Sequence, residues 1–126
     1  FSYDQMVMVE ADEYKIFQVI YNLVNNAINY TGDDKQIWVR QIMREDGYVR
    51  IEVTDSGEGI APEALPYVWD RYYKVDKTHK RAVMGTGLGL SIVKNILELH
   101  DARYGVESEV GKGSTFWFEL KVYQIV

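Results

Sequence analysis

Two stretches of the chain carry apolar residues at helical spacing. Between residues 13 and 30, EYKIFQVIYNLVNNAINY sets Ile16, Val19, Ile20, Leu23, Val24, Ala27 and Ile28 three and four apart, which predicts an amphipathic helix. Asp12 stands where a capping residue belongs and Gly32 lies just past the end. Between 88 and 100, LGLSIVKNILELH predicts a second helix with Leu90, Ile92, Val93, Ile96, Leu97 and Leu99 mostly inward. Elsewhere the pattern alternates. QMVMVEAD (5–12) predicts a short strand, and KQIWVRQIMRE (35–45) and YVRIEVTD (48–55) predict a hairpin turning at Asp46-Gly47. ARYGVESEV (102–110) and STFWFELKVY (114–123) predict two more strands joined by GKG, the last with Phe116, Phe118, Leu120 and Val122 on one face. LPYVWDRYYKV (65–75) reads as a short helix or turn, and DKTHKRAVMGTG (76–87) as a loop.

The order is strand, helix, two strands, glycine-rich loop, helix, two strands. Antiparallel hairpins with long helices between them predict a two-layer α/β sandwich with the helices on one face of the sheet. The alternating βαβ order of a dinucleotide-binding fold is absent. At 126 residues the chain suits a single domain over 1–126. It opens on Phe1 and reads as a piece of something longer.

Composition narrows the chemistry. A formal charge of −5 argues against nucleic acid as a partner, since binding a phosphate backbone calls for a basic face. With 0 cysteines there is neither a disulfide nor a thiolate metal site. No apolar run reaches membrane-spanning length, and there is no signal peptide. Of the two histidines, His79 falls in the polar loop, while His100 ends a helix and reads as a favourable cation at its C-terminus.

Three motifs carry candidate chemistry, each with a plain alternative. GTGLGLSIVKN (85–95) packs Gly85, Gly87 and Gly89 against a helix start. It lacks the Lys-Ser/Thr of a Walker A loop and the preceding strand of a Rossmann fingerprint. Glycines there let backbone N–H groups approach an anion at the positive end of a helix, with Lys77, Lys80 and Arg81 ahead of them; the alternative is a flexible loop. Asn22, Asn26 and Asn29 share one face of the first helix, away from its apolar stripe. Their amide oxygens suit a hard cation such as Mg²⁺, or the face is simply solvated. DSGEGI (55–60) closes a strand with a carboxylate that can accept from an amine such as that of adenine; taken alone it reads better as an Asx turn.

Together, NLVNNAINYT, DSGEGI, VWDRYYKVD and GTGLGLSIVKNILELH resemble, in order and spacing, the N, G1, F and G2 boxes of sensor histidine kinases, and the similarity runs from DEYKIFQVIYNLVNNA to VGKGSTFWFEL. The resemblance implies the catalytic ATP-binding domain of such a kinase. Its fold is of the Bergerat type: a mixed, mostly antiparallel sheet of about five strands with about three helices on one face. It implies ATP and Mg²⁺ as ligands, with Asn26 on the metal, Asn22 near the phosphates and Tyr30 flanking the nucleotide. Asp55 then reads the adenine amine, with Gly57, Gly59 and Ile60 around the base and Thr115 supplying a nearby hydroxyl. Lys74 stands where an arginine often reaches the terminal phosphate. Tyr72, Lys77, Gly85, Thr86, Gly87, Leu88, Gly89 and Leu90 belong to the lid and the loop that closes on the phosphates. The lid, residues 72 to 86, is held by Trp69 and Tyr72.

Three departures stand out. Asn29 replaces a usual lysine, His100-Asp101-Ala102 replaces HGG, and Tyr72 replaces a phenylalanine. ATP-hydrolysing members of the wider superfamily carry a glutamate where Asn22 stands, and an amide cannot take a proton from water. The expected task is therefore to present the γ-phosphate to a histidine on a separate dimerisation domain, with a response regulator downstream. The parent is expected in a bacterial cell membrane, with this domain cytoplasmic and monomeric by itself. The alternatives are a related protein-serine kinase or ATPase, and a non-catalytic nucleotide-sensing module.

Overall fold

The computed structural model describes residues 2–3, 8–30, 36–70 and 89–122. Their elements run β1 (Ser2–Tyr3), α1 (Glu13–Tyr30), β2 (Ile37–Met43), β3 (Tyr48–Asp55), a 3-10 turn (Leu65–Tyr67), α2 (Gly89–Leu99), β4 (Arg103–Glu109) and β5 (Gly113–Lys121). The strands form one five-stranded sheet in the order β1-β2-β3-β5-β4. β1 runs parallel to β2 and every other neighbouring pair is antiparallel, which is the mixed, mostly antiparallel sheet expected. α1 packs on β3, α2 on β4, and the two helices on each other.

The helical layer is built by the periodicities of the sequence. Val19, Leu23 and Ala27 of α1 and Val93, Ile96 and Leu97 of α2 are buried, and they join Val49, Val53, Phe116, Phe118 and Leu120 of the sheet in a single core. Each of these valine, leucine, isoleucine and phenylalanine side chains contributes about 1.5–3 kcal/mol by leaving water, and Ala27 less. Three apolar positions expected inside turn out instead. Ile28 is 56% exposed, and Leu99 and Ile92 are 81% and 36% exposed. At roughly 100° per residue, Ile28 lies about 140° from Leu23, and Ile92 and Leu99 lie on the flank of the face set by Val93. Ile28 shares the outer side of α1 with the exposed Tyr14, Phe17 and Tyr21.

Of the N-terminal strand expected over 5–12, residues 5–7 lie outside the described residues. β1 lies at Ser2–Tyr3, and within 8–12 only Val9 makes a bridge, to Val122. There the chain turns into the cap of α1. The Asp12 carboxylate accepts the Lys15 amide at 3.1 Å and the Asp12 carbonyl accepts that of Ile16 at 2.9 Å, as a capping aspartate should. Gly32 lies outside the described residues.

α2 ends in a left-handed residue, Asp101 at φ 53°, and the Ala102 amide donates back to the Leu97 carbonyl at 2.9 Å. This is the turn that commonly takes glycine. His100 corrects the expectation of a terminal cation. Its Nε2 accepts the Asp12 amide at 3.1 Å, so Nδ1 carries the proton and donates to the Ile96 carbonyl at 2.9 Å. The arrangement needs a neutral ring.

Among the described residues, the other face of the sheet has no helical layer. A charged and aromatic layer covers it instead. Glu119, 3% exposed, meets Arg50 at 2.8 Å, Arg103 at 3.4 Å and Arg44 at 3.5 Å. Glu52 bridges Arg40 and Arg50, and the Arg50 guanidinium lies 4.0 Å over the Trp117 ring. Burial works to lower the Arg50 pKa, but its bonds to Glu119 and Glu52 outweigh that and hold it above the usual arginine value. Trp117 can lie across Gly105 because a β-carbon there would stand 2.7 Å from the indole.

Asp101→Gly is expected to stabilise the domain by about 0.5–1 kcal/mol, since glycine takes the left-handed turn without steric cost and only part of that gain is lost to chain entropy. Urea unfolding followed by circular dichroism measures it; an unchanged or lower midpoint at equal slope contradicts the assignment of strain to Asp101.

Candidate functional site

Strand parity decides what faces the helices. Asp55, the last residue of β3, is on the same side as Val49 and Val53 and is 2% exposed. Its Oδ1 accepts the Gly57 amide at 2.8 Å, so the Asx turn is real, and a carboxylate is held at the inner end of the sheet by that turn.

The loop that follows is pressed onto the β4–β5 hairpin, backbone against backbone. Gly59 has φ 81°, and a β-carbon on it would collide with the Glu109 carbonyl. Gly113 has φ 88°, and a β-carbon there would collide with the carbonyl of Asp55 itself. Both positions exclude every other residue type on two counts, conformation and space. The Gly111 amide donates to the Glu58 carbonyl at 2.7 Å. Ile60, buried, donates its amide to Ser108 Oγ at 2.7 Å, and that hydroxyl reaches the Gly113 carbonyl at 2.9 Å and Ser114 Oγ at 2.8 Å. Gly57 and Gly59 are buried in this seam.

The hydroxyl beside Asp55 belongs to Ser114. Asp55 pairs with Ser114 across β3 and β5, and Thr54 pairs with Thr115. Adjacent residues of a strand point to opposite faces, so Thr115, expected near the carboxylate, looks away from it. It bonds Thr54 Oγ1 at 2.9 Å and borders a surface hollow of about 300 Å³ with Thr54, Glu107 and Lys112. The sequence held the signal that corrects this: Phe116, Phe118 and Leu120 face inward, so Ser114 does too. Ser108 gave no comparable signal, because its role depends on where the 55–60 loop lands.

On the helical side, Asn22, Asn26 and Asn29 are all half-buried. The Asn26 side-chain nitrogen is buried without a hydrogen-bond partner among the described residues. An orphaned amide at such a place is costly unless something meets it. Asn22 looks toward the start of α2, its Oδ1 4.0 Å from where a β-carbon on Gly89 would stand. Gly89 is the first residue of α2, and Leu90 behind it packs on the core. Asn22 and the start of α2 are therefore neighbours. Tyr30 is the last residue of α1. Trp69 packs edge-on against Tyr104 at 5.1 Å and Phe116 at 5.5 Å, fixing the chain just before Asp70. Tyr72, Lys74, Lys77, Gly85, Thr86, Gly87 and Leu88 lie outside the described residues. Among the described residues no group of three or more His, Cys, Asp and Glu could hold a metal ion.

The family model described as histidine kinase-, DNA gyrase B- and HSP90-like ATPase matches residues 11–124. The sensor protein SrrB of Staphylococcus aureus is 43% identical over 95% of this chain and 20% of its own length. Drug sensory protein A of Synechocystis is 42% identical over 86% of the chain and 18% of its own length. The chain thus spans about a fifth of the length of these curated relatives. Among solved structures, the catalytic domain of the histidine kinase ThkA superposes with a TM-score of 0.78 at 34% identity, covering 96% of this chain and 76% of that one. Full-length ShkA superposes at 0.80 with 27% identity, over 98% of this chain and 26% of that one. The chain belongs to the family of histidine kinase-, DNA gyrase B- and HSP90-like ATPases, and within it to the catalytic ATP-binding domains of sensor histidine kinases.

Proposed function

We propose that this domain binds Mg-ATP and presents the γ-phosphate to a histidine carried on a separate dimerisation domain of the same kinase, for relay to a response regulator. The observation that carries the reading is the buried Asp55 carboxylate, set beside Ser114 at the end of a backbone-lined seam. A carboxylate and a hydroxyl there suit the exocyclic amine and ring nitrogen of adenine. One neighbour, ShkA, is known in complex with AMPPNP.

The orphaned amide of Asn26 fits the metal and phosphate end. Amide nitrogen and oxygen exchange places by a half-turn of the side chain, so the same group can offer an oxygen to Mg²⁺ or a donor to a phosphate. The metal would supply charge neutralisation on the phosphate oxygens. Asn22, at the mouth of α2, has no basicity to activate water. Its contribution is to position the phosphates against the helix N-terminus, where the α2 amides face the negative charge. Lys74, Tyr72, Lys77 and the 85–88 loop complete the phosphate side in this reading, and Tyr30 flanks the nucleotide. Transfer then depends on placement and electrostatics. The parent kinase is a bacterial membrane protein with this domain in the cytoplasm, and the domain by itself is a monomer; among the described residues no helix is long and apolar enough to cross a membrane.

Calorimetric titration with an ATP analogue tests the map. Asp55→Asn keeps an oxygen for the Gly57 amide and so keeps the turn, but it loses the charged acceptor. It is expected to weaken binding about 10- to 100-fold, the range of a lost charge-assisted hydrogen bond. Unchanged affinity would remove adenine from this pocket. Asn26→Asp is expected to change mainly the Mg²⁺-dependent part of the affinity, and an equal effect with and without the metal contradicts its placement. With the dimerisation domain added, acid-labile phosphate on histidine is the expected product. Steady phosphate release by the domain alone points to an ATPase instead.

A further inference from the structure

We propose that His100 is a positioning residue for the nucleotide site, one that acts only as a neutral ring and releases its hold when protonated. The inference rests on the nucleotide reading above and adds a control point at the far end of the helix pair. α1 and α2 lie against each other with Asn22 near Gly89 at one end and Asp12 near His100 at the other. They are therefore antiparallel neighbours, and in that reading each carries one wall of the phosphate end: Asn22 and Asn26 on α1, the first turn from Gly89 on α2. Between these ends lies a core of Val19, Val93, Ile96 and Leu97, apolar side chains that hold the helices together without directional bonds of their own. A directional contact at the far end is the bond from the Asp12 amide to His100 Nε2. It joins the residue before α1 to the residue after α2. The second bond, from Nδ1 to the Ile96 carbonyl, orients the ring.

Protonation turns Nε2 from an acceptor into a donor that faces another donor, so the clasp cannot survive it. Histidine is the side chain whose ordinary titration falls between about pH 5 and 8. The charged residues on the elements that meet at the ring are Asp12, Glu13 and Lys15 at the start of α1, Glu98 and Asp101 beside it in the chain, and Arg103 at the start of β4. Asp12 is occupied by the Lys15 amide, Glu98 by the Tyr104 hydroxyl, and Arg103 by Asp46 and Glu119. A charged imidazole would be drawn toward the carboxylates and out of line with the Asp12 amide. The two helices would then be free to shift, and Asn22 with them.

Two measurements test this, one of them without nucleotide. In the wild-type domain at about pH 7.5, ¹⁵N spectra of the histidines are expected to show His100 protonated on Nδ1 and bare on Nε2. On acidification the amides of Asn22 and Gly89, at the opposite end of the helices, are expected to move with the same midpoint as His100. The reverse tautomer, or amides that stay still while His100 titrates, overturns the proposal whether or not ATP binds. In the second, affinity for an ATP analogue is compared at about pH 7.5 and 5.5. The wild type is expected to lose about five-fold more affinity than His100→Gln, which keeps a donor and an acceptor but cannot gain a proton; that is the lower end of common coupling between sites. Equal pH profiles overturn the inference and leave the nucleotide reading intact, whereas no binding by wild type at either pH removes the nucleotide reading and leaves the spectroscopic test standing.

Discussion

The pairing of β3 with β5 is the constraint from which the rest follows. These are the central strands, matched from Tyr48 opposite Lys121 to Asp55 opposite Ser114. Because the strand period is two, that register decides at once which residues build the core and which build the site. Val49 and Val53 meet Phe116 and Leu120 beneath the helices, and the same parity carries Asp55 and Ser114 to the inner face at the end of the ladder. The opposite parity sends Arg50, Glu52 and Glu119 outward, where they interlock. A slip of one residue would empty the core, bury the ion pairs under helices and exchange Asp55 for Thr54. The register therefore sets the core of the domain and the placement of Asp55 and Ser114 in a single alignment.

Much of this was legible in the chain. α1 begins and ends where periodicity and the Asp12 cap put it, because its inner stripe is long and its start signal strong. The Asp46-Gly47 hairpin forms for the same local reason, with Gly47 at φ 85°. Where the reading fell short, the deciding force was not local. Ile28 and Leu99 are apolar but lie off the faces that packing selects. Of the first strand Ser2 and Tyr3 are described, and their pairing with β2 depends on a partner about forty residues away, a contact no local window contains. Thr115 was placed beside the carboxylate by similarity of motif, while parity along its own strand already assigned that place to Ser114. The neutral role of His100 depends on the Asp12 amide, 88 residues distant, which helix-end rules do not see.

The two faces of the sheet solve burial differently. The inner face uses helices. The outer face uses Trp117 laid over Gly105 and a chain of arginines and glutamates, so that Glu119 is as buried as a core residue without a layer above it. Burying a carboxylate is tolerable only with such pairing. α1 has a comparable duality. Its inner stripe is core, its flank carries the asparagine row, and its outer side shows Tyr14, Phe17, Tyr21 and Ile28 to solvent. A single helix thus divides its circumference among a buried core, a half-buried row of amides and an exposed apolar surface.

The seam between the 55–60 loop and the β4–β5 hairpin has a consequence for any compound aimed at the pocket. Its wall is main chain: Gly59 against Glu109, Gly113 against Asp55, Gly111 against Glu58. Drug resistance ordinarily arises when a side chain changes the shape of a pocket while the protein survives. Here Gly59 and Gly113 have no side chain to change, and a β-carbon on either would collide with the main chain opposite. An inhibitor that draws its affinity from these peptide groups leaves the organism few viable routes of escape.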